Sequence, residues 1–244
     1  MKQTTSKWYA TWFDTPYYHI LYKNRDNEEA QNFMRQLTDY LKLKPKSHIL
    51  DVACGRGRHA IYLNEIGYQV TGIDLSQNSI DYAKKYETDG LRFKRHDMCQ
   101  PMGKTYDAVF NLFTSFGYFE KDHYNINAIK AMKSNMKPNA CGVIDFLNVH
   151  HTLKHLKSHD TKIVDNIEFN IHKWVEDGYI FKRIQFEAEG RKFDFTERLK
   201  CIDLELFKTY FKAAGLQVKQ IFGNYNLDSY NAETSERLIL IFKQ

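Results

Sequence analysis

The 244-residue sequence has few of the features that mark secreted or membrane-bound proteins. Its four cysteines are widely separated and form no C-x-x-C pair, so a disulfide framework is not indicated and we expect reduced thiols. No hydrophobic run approaches the ~20 residues that span a bilayer, and the N-terminus lacks the apolar core of a signal peptide. These absences predict a cytoplasmic protein without a membrane partner.

Charge of either sign is not concentrated anywhere in the chain. The 35 basic and 30 acidic residues give a formal net charge of +5, and the lysines are scattered. Without a long basic run, a nucleic-acid partner is not indicated. A composition of 43% hydrophobic and 27% charged residues is typical of a globular protein, and the length suits one large domain with an insertion.

The most informative stretch runs from Ser47 to Asp74. An apolar run up to Ala53 passes into the turn Cys54-Gly55-Arg56-Gly57-Arg58, a helix-like segment follows, and a second apolar run ends on Asp74. This order predicts a βαβ unit with an acid at the tip of its second strand. The glycines let a ligand approach the backbone, the helix start offers N–H groups to an anion, and Asp74 can accept hydrogen bonds from a ribose.

Strands and helices continue to alternate after this unit. The pattern predicts strands at 91–95, 106–110, 141–147, 216–222 and 237–242, and helices at 28–43, 77–88, 122–136 and 203–214, with Ser76 as an N-cap. We therefore predict a Rossmann-like α/β fold, with a doubly wound seven-stranded sheet that is parallel except for its last strand. Ligands bind such sheets beyond the carboxyl ends of the strands.

A different pattern of apolar residues interrupts the α/β pattern in the second half of the chain. Alternating apolar residues from about 162 to 201, with turns at Asp177-Gly178 and Gly190, predict an inserted three-stranded antiparallel meander. We accordingly divide the chain into an N-terminal cap (1–45), a nucleotide-binding domain (46–150 and 202–244) and the insertion (151–201), which we expect to serve a substrate or an oligomer interface.

Aromatic residues are concentrated ahead of the nucleotide unit. Seven lie between Lys7 and Tyr22, where they are expected either to pack a cap onto the domain or to cover a ligand. Four of them, together with four aromatic residues farther along the chain, are our candidates for the substrate pocket: Trp12, Tyr17, Tyr18, Tyr22, Phe113, Phe116, Tyr118 and Tyr225.

The glycine pattern at Gly55 and Gly57 also fits the dinucleotide fingerprint, so the glycines alone leave the nucleotide open. The surrounding residues are more specific, because Asp51, Asp74, Asp97 and Asn111 lie at the ends of four consecutive predicted strands. Together with them, the sequence resembles the class I S-adenosylmethionine-dependent methyltransferases, small-molecule type, through the segments LDVACGRGRHA, GIDLS, HDM, YDAVFNLFTSFGYF, MKPNACGVIDFLN and RLILIF.

The resemblance implies S-adenosyl-L-methionine as cofactor, S-adenosyl-L-homocysteine as product, and a role for each strand-end residue. Gly55 and Gly57 would flank the methionine part, and Asp51 and the Asn111 carbonyl would receive its ammonium. The adenosine would meet Asp74 at the ribose and Leu75, Asp97 and Met98 at the adenine; Ala53, Cys54 and Leu112 complete the implied cofactor-binding set. The family commonly has glycine at the positions of Ala53 or Arg56, a departure from its pattern.

The catalytic group is less well specified, because a sulfonium carries a good leaving group and alignment of the acceptor can suffice. Candidate bases, by topology alone, are His19, His150 and His151. His151, His155 and His159 would form one stripe on a helix, but a solvated face explains that spacing better than a metal site. We therefore predict no metal.

The predicted function is methyl transfer to a small molecule, by a monomer or homodimer. Two alternatives remain: methylation of RNA or protein, which would need a contiguous basic face, and a non-enzymatic cofactor-binding or assembly protein that uses the meander as an oligomer interface. The sequence does not name the acceptor.

Overall fold

A computed structural model of the chain describes residues 8–23 and 27–243. Its α-helices are α1 (Trp8–Trp12), α2 (Pro16–Leu21), α3 (Asn27–Tyr40), α4 (Arg58–Glu65), α5 (Gln77–Ala83), α6 (Asp122–Ser134), α7 (Val149–Lys154) and α8 (Leu204–Ala214). Its strands are β1 (His48–Val52), β2 (Gln69–Asp74), β3 (Leu91–Arg95), β4 (Tyr106–Asn111), β5 (Met136–Leu147), β6 (His159–Val164), β7 (Ile167–Glu176), β8 (Tyr179–Ala188), β9 (Arg191–Lys200), β10 (Gln217–Phe222) and β11 (Arg237–Lys243).

The main sheet has seven strands in the order β10-β11-β5-β4-β1-β2-β3. The pairs from β5 to β3 are parallel, whereas β11 runs antiparallel to both β5 and β10. This confirms the predicted doubly wound fold. The strand order reverses between β1 and β4, and at such a switch point the carboxyl ends of parallel strands leave a crevice for a ligand.

Apolar residues fill both faces of the main sheet. On one face, β-strand residues such as Leu50 and Ile144 pack against α6 and α8, and on the other, Ile49 and Val143 pack against α3 and α4. All four of these strand residues are fully buried. The alternation along β1 and β5 thus explains why helices cover the sheet on both sides, and why the strand tips are left for function.

The insertion is a four-stranded antiparallel sheet in the order β6-β7-β8-β9. The predicted turns at Asp177-Gly178 and Gly190 are present, but the prediction of three strands was wrong, because β6 pairs with β7 along its whole length. Its residues HDTKIV are mostly exposed, so this edge strand carries little of the apolar alternation that marks the other three.

Within the predicted N-terminal cap, helices α1 and α2 pack against the inner face of this second sheet, whereas α3 packs against the main sheet. From here on, the cap means α1 and α2. Trp12 and Leu21 share a separate core with Phe169, Ile184 and Phe186. The cap and the second sheet are therefore held together by their own buried apolar surface, apart from the two cores of the main sheet.

The predicted histidine stripe does not exist on one helix. Helix α7 ends at Lys154, His155 is its C-cap, and His159 lies on β6, so no shared helical face presents His151, His155 and His159. Within residues 8–23 and 27–243, no group of three or more histidine, cysteine or acidic side chains could hold a metal ion. No helix in that same part of the chain is long and apolar enough to cross a membrane.

Candidate cofactor and acceptor site

The loop after β1 and the tip of β2 are joined by hydrogen bonds to one carboxylate. The Gly55 backbone N–H donates to Asp74 Oδ2 at 2.8 Å, and the Ser76 N–H donates to Asp74 Oδ1 at 2.8 Å. Ser76 also caps α5 as predicted, accepting from the Ser79 N–H at 3.0 Å. Asp74 is thus fixed at the strand tip where the sequence places a ribose acceptor.

Two buried oxygens at the neighbouring strand ends have no hydrogen-bond partner in the structure. They are Asp51 Oδ2, next to the end of β1, and Asn111 Oδ1, at the end of β4. Burial, followed by the charge of Asp74, raises the pKa of Asp51 to about 7. Unpaired buried acceptors are costly, so a cationic donor such as a ligand ammonium would stabilise this arrangement.

A cavity of about 160 Å³ lies over the tips of β2, β3 and β4; we call it the strand-tip cavity. The cofactor candidates that line it are Ala53, Gly55, Asp74, Leu75, Asp97 and Met98. Of the aromatic substrate-pocket candidates, Tyr18, Phe113, Phe116 and Tyr118 line it as well, as does His19. Residues from five separate stretches of the sequence therefore converge on one cavity.

A second space, the helix-side cavity of about 540 Å³, adjoins the first on the side of α4. Asp51, Cys54 and Leu112 line this cavity, and Ala53 and Gly55 line both. A methyl group added at Gly55 would meet no atom within 4 Å, so the space beside this backbone is open. Together, the two cavities offer room for a nucleoside on one side of Gly55 and for an amino-acid tail on the other.

The cap forms the roof of the strand-tip cavity, through residues that include Tyr9 and Phe13. Asp14 fastens this roof to the ribose-side loop by accepting hydrogen bonds from the Ser76 hydroxyl and from the Asn78 side-chain amide, the latter at 2.8 Å. On the other side, Trp12 Nε1 donates to Glu197 of β9 at 2.7 Å. The roof is therefore anchored both to the main domain and to the second sheet.

Several predicted site residues lie elsewhere. Trp12 and Tyr17 pack against Phe195 and Phe193 in the core between cap and second sheet, and neither lines the two cavities. Tyr22 lines the helix-side cavity, and both Tyr22 and Tyr225 line a third cavity beside the second sheet; the Tyr225 hydroxyl donates to Asp145. The aromatic pattern could not separate packing rings from lining rings, because both occur in one short segment.

Gly57, His150 and His151 also line neither cavity. A Cβ at Gly57 would lie 2.5 Å from Phe93 Cζ, so this glycine is needed for close packing of α4 on β3. His150 and His151 lie on α7, where the His151 ring contacts His155. Of the three candidate bases, only His19 lines the cavities, and its Nε2 is 3.5 Å from Ser79 Oγ.

An ion pair behind the site was not predicted from the sequence. Arg237 of β11 donates from Nε to Asp145 Oδ1 of β5 at 2.9 Å, and Asp145 is fully buried. Asp145 Oδ2 accepts from the Phe113 N–H at 2.7 Å, while Arg237 donates to Thr114 Oγ1 at 2.9 Å. An acid inside the apolar run VIDFL was the available signal for a buried polar contact.

Sequence comparison relates this chain to methyltransferases. Residues 49–139 match the family model of a methyltransferase domain. YqeM of Bacillus subtilis, a protein named as a methyltransferase, is 29% identical over 210 residues, which cover 80% of this chain and 83% of YqeM. The matched domain contains β1 to β4, and therefore all the cofactor candidates identified above.

Solved structures show the same fold. An S-adenosylmethionine-dependent methyltransferase from Clostridium acetobutylicum superposes with a TM-score of 0.78 at 19% identity, covering 93% of this chain and 95% of that one. CalS10, an amino pentose methyltransferase from Micromonospora echinaspora solved with S-adenosylmethionine, gives 0.73 at 18% identity, covering 93% and 96%. The chain therefore matches a methyltransferase domain over residues 49–139 and shares the fold of solved S-adenosylmethionine-dependent methyltransferases.

Proposed function

We propose that this protein binds S-adenosyl-L-methionine across the strand-tip and helix-side cavities and transfers its methyl group to a small molecule. The observation that carries the proposal is the convergence of Asp51, Gly55, Asp74 and Asp97 on these two adjoining spaces. The residues present fit the cofactor, since its ribose hydroxyls, its adenine amino group and its methionine ammonium each have an acceptor of suitable chemistry.

The ribose hydroxyls would bind Asp74, whose carboxylate already lies at the tip of β2. The adenine would lie between Leu75 and Met98, with Asp97 accepting from its amino group. The ammonium of the methionine part would pair with Asp51, whose Oδ2 lacks a partner. When bound, the cofactor supplies an electrophilic methyl group on sulfur: the acceptor's lone pair forms a bond to carbon as the carbon–sulfur bond breaks, leaving S-adenosyl-L-homocysteine.

The protein's own contribution would be alignment of the acceptor and exclusion of water. The roof residues Tyr9, Phe13 and Tyr18 and the ring of Tyr118 enclose the strand-tip cavity. Aromatic faces also suit a sulfonium through cation–π attraction. His19 is the one histidine of our three candidates that is near enough to accept a proton from an acceptor.

A small acceptor is favoured because the cap covers the strand-tip cavity, which has a volume of only about 160 Å³. The amino pentose named for CalS10 is a small molecule, and that protein shares this chain's fold over nearly its whole length. Methylation of RNA or protein, and a purely non-enzymatic binding role, are the competing outcomes in the test.

The test combines binding with transfer. We expect S-adenosyl-L-homocysteine to bind in calorimetry, and labelled S-adenosyl-L-methionine to methylate a component of a metabolite extract but not RNA or protein fractions. Absence of binding at high micromolar ligand would refute the cofactor assignment. Label confined to the RNA or protein fraction would instead refute the small-molecule acceptor.

A further inference from the structure

A third cavity of about 480 Å³ lies between the carboxyl edge of the main sheet and the inner face of the second sheet; we call it the side cavity. It shares Phe113 and Tyr118 with the strand-tip cavity. A methyl donor bound in the strand-tip cavity and a ligand bound in the side cavity would therefore meet at these two rings. This position is the one required of an acceptor site.

The segment that lines both cavities is held in place by several hydrogen bonds. Phe113 and Thr114 both have left-handed backbone conformations, with φ of 56° and 59°, which are strained for non-glycine residues. Asp145 and Arg237 hold these two residues as described above, and Tyr118 donates its hydroxyl to the Thr114 carbonyl at 2.7 Å. Strain that is maintained by several hydrogen bonds points to a functional boundary.

The opposite wall of the side cavity carries an unbalanced row of charges. Lys173, Lys182 and Glu197 lie directly across from one another on β7, β8 and β9, and all three line the cavity. Lys182 Nζ is 3.6 Å from Glu197 Oε2, whereas Lys173 makes no ion pair with any residue that the structure describes. Two lysines directly opposite on one face of a sheet repel each other.

The other charges around the cavity do not remove this excess. Arg237 is neutralised by Asp145, which is buried behind it. Arg58 and Glu29 also line the cavity, and as one cation and one anion they leave its formal charge unchanged. An anionic ligand beside Lys173 would relieve the repulsion between the two lysines and would form a charge-assisted contact with the Lys173 ammonium.

We propose that the side cavity binds the methyl acceptor, and that the acceptor is a small molecule with a carboxylate or phosphate group held by Lys173. This inference rests on the proposed function, whose cofactor step is tested separately. Apolar side chains in the same cavity, including Leu147, Ile180 and Leu199, would cover the uncharged part of the acceptor. The acceptor atom would then lie on the side of Phe113 and Tyr118.

The experiment fractionates a metabolite extract by anion exchange at pH 8 and incubates each fraction with the protein and labelled S-adenosyl-L-methionine. We expect the label to enter a component of the retained fraction. Treating that fraction with a phosphodiesterase and alkaline phosphatase distinguishes the two sources of charge, because together they remove esterified phosphate from a phosphate acceptor and leave a carboxylate acceptor intact. Label only in the unretained fraction would overturn this inference while leaving the proposed function intact.

Variants of Lys173 test whether the labelled acceptor binds in the side cavity. The rate of labelling is measured with serial dilutions of the retained fraction. Lys173→Met should raise the amount of this fraction that gives half the maximal rate at least tenfold, while the maximal rate stays within about twofold of wild type. Lys173→Arg should restore the wild-type half-saturating amount. Lys192→Met, at an exposed position of the same sheet, is the matched control. All four proteins should bind S-adenosyl-L-homocysteine equally. A Lys173→Met protein that matches wild type would contradict the proposal, and absence of label from every fraction would overturn it together with the proposed function.

Discussion

The unpartnered carboxyl of Asp51 gives a sharp prediction about pH. Its side chain is almost completely buried and one oxygen lacks a hydrogen bond. Burial, and secondarily the charge of Asp74, raises its pKa to about 7 from the ordinary value of 3.8. The unfolded chain therefore ionises Asp51 near pH 4, whereas the folded chain keeps it protonated until about pH 7.

The direction in which stability changes with pH follows from the order of these two pKa values. Between pH 4 and pH 7 the folded state holds a proton that the unfolded state has lost, so the contribution of Asp51 to stability falls as pH rises through that window. Each pH unit is worth about 1.4 kcal/mol, so the total loss is about 4 kcal/mol. Between pH 5.5 and pH 8, where only part of the window remains, the loss is about 2 kcal/mol.

The assay is thermal unfolding of the ligand-free protein at pH 5.5 and pH 8. Asp51→Asn removes the titration while keeping the shape, so its melting temperature relative to wild type should increase by roughly 4–8 °C from the lower to the higher pH. Asp89→Asn, at an exposed position, is the control and should follow wild type. Equal pH dependence in wild type and Asp51→Asn would refute the reasoning.

Further substitutions test three other contacts. Both glycines have positive φ, but only a Cβ at Gly57 would overlap Phe93, so Gly57→Ala should destabilise the fold in urea unfolding by about 1–3 kcal/mol more than Gly55→Ala does; equal losses would contradict this packing role. Arg237→Met should cost about 3–5 kcal/mol by leaving Asp145 buried and unpaired, and the Asp145→Asn/Arg237→Met double variant should recover part of this loss; additive losses in urea unfolding would argue against the pair. Asp14→Ala should speed dissociation of S-adenosyl-L-homocysteine about tenfold in stopped flow, and an unchanged rate would show that the roof is not held there.

Local pattern was sufficient for most of the fold. Strand β3 matches its predicted bounds, and the other predicted strands of the main sheet differ mainly at their ends, because each is an apolar run closed by a turn or a polar residue. Strand β6 was missed for the opposite reason: it is an exposed edge strand, with Ile163 71% exposed, and its sequence shows little apolar alternation.

The positions of the candidate site residues were predictable where these residues lie at or just beyond the carboxyl end of a strand, as Asp51, Asp74 and Asp97 do. Long-range contacts were not predictable from one sequence. The Asp145–Arg237 pair joins residues 92 positions apart, and Trp12 meets Glu197 across 185 positions. Gly57 illustrates the same limit, since its lack of a side chain is required by Phe93 on β3, 36 positions along the chain.

The central claim concerns Asp74 as the ribose acceptor, and one measurement tests it most directly. In calorimetry at pH 7.5, S-adenosyl-L-homocysteine should bind the wild-type protein, and Asp74→Ala should weaken that binding about 100-fold, because two hydrogen bonds to a charged group are lost at about 1.5 kcal/mol each. Asp89→Asn should bind as wild type does. Equal affinity of the Asp74→Ala and wild-type proteins would contradict the account.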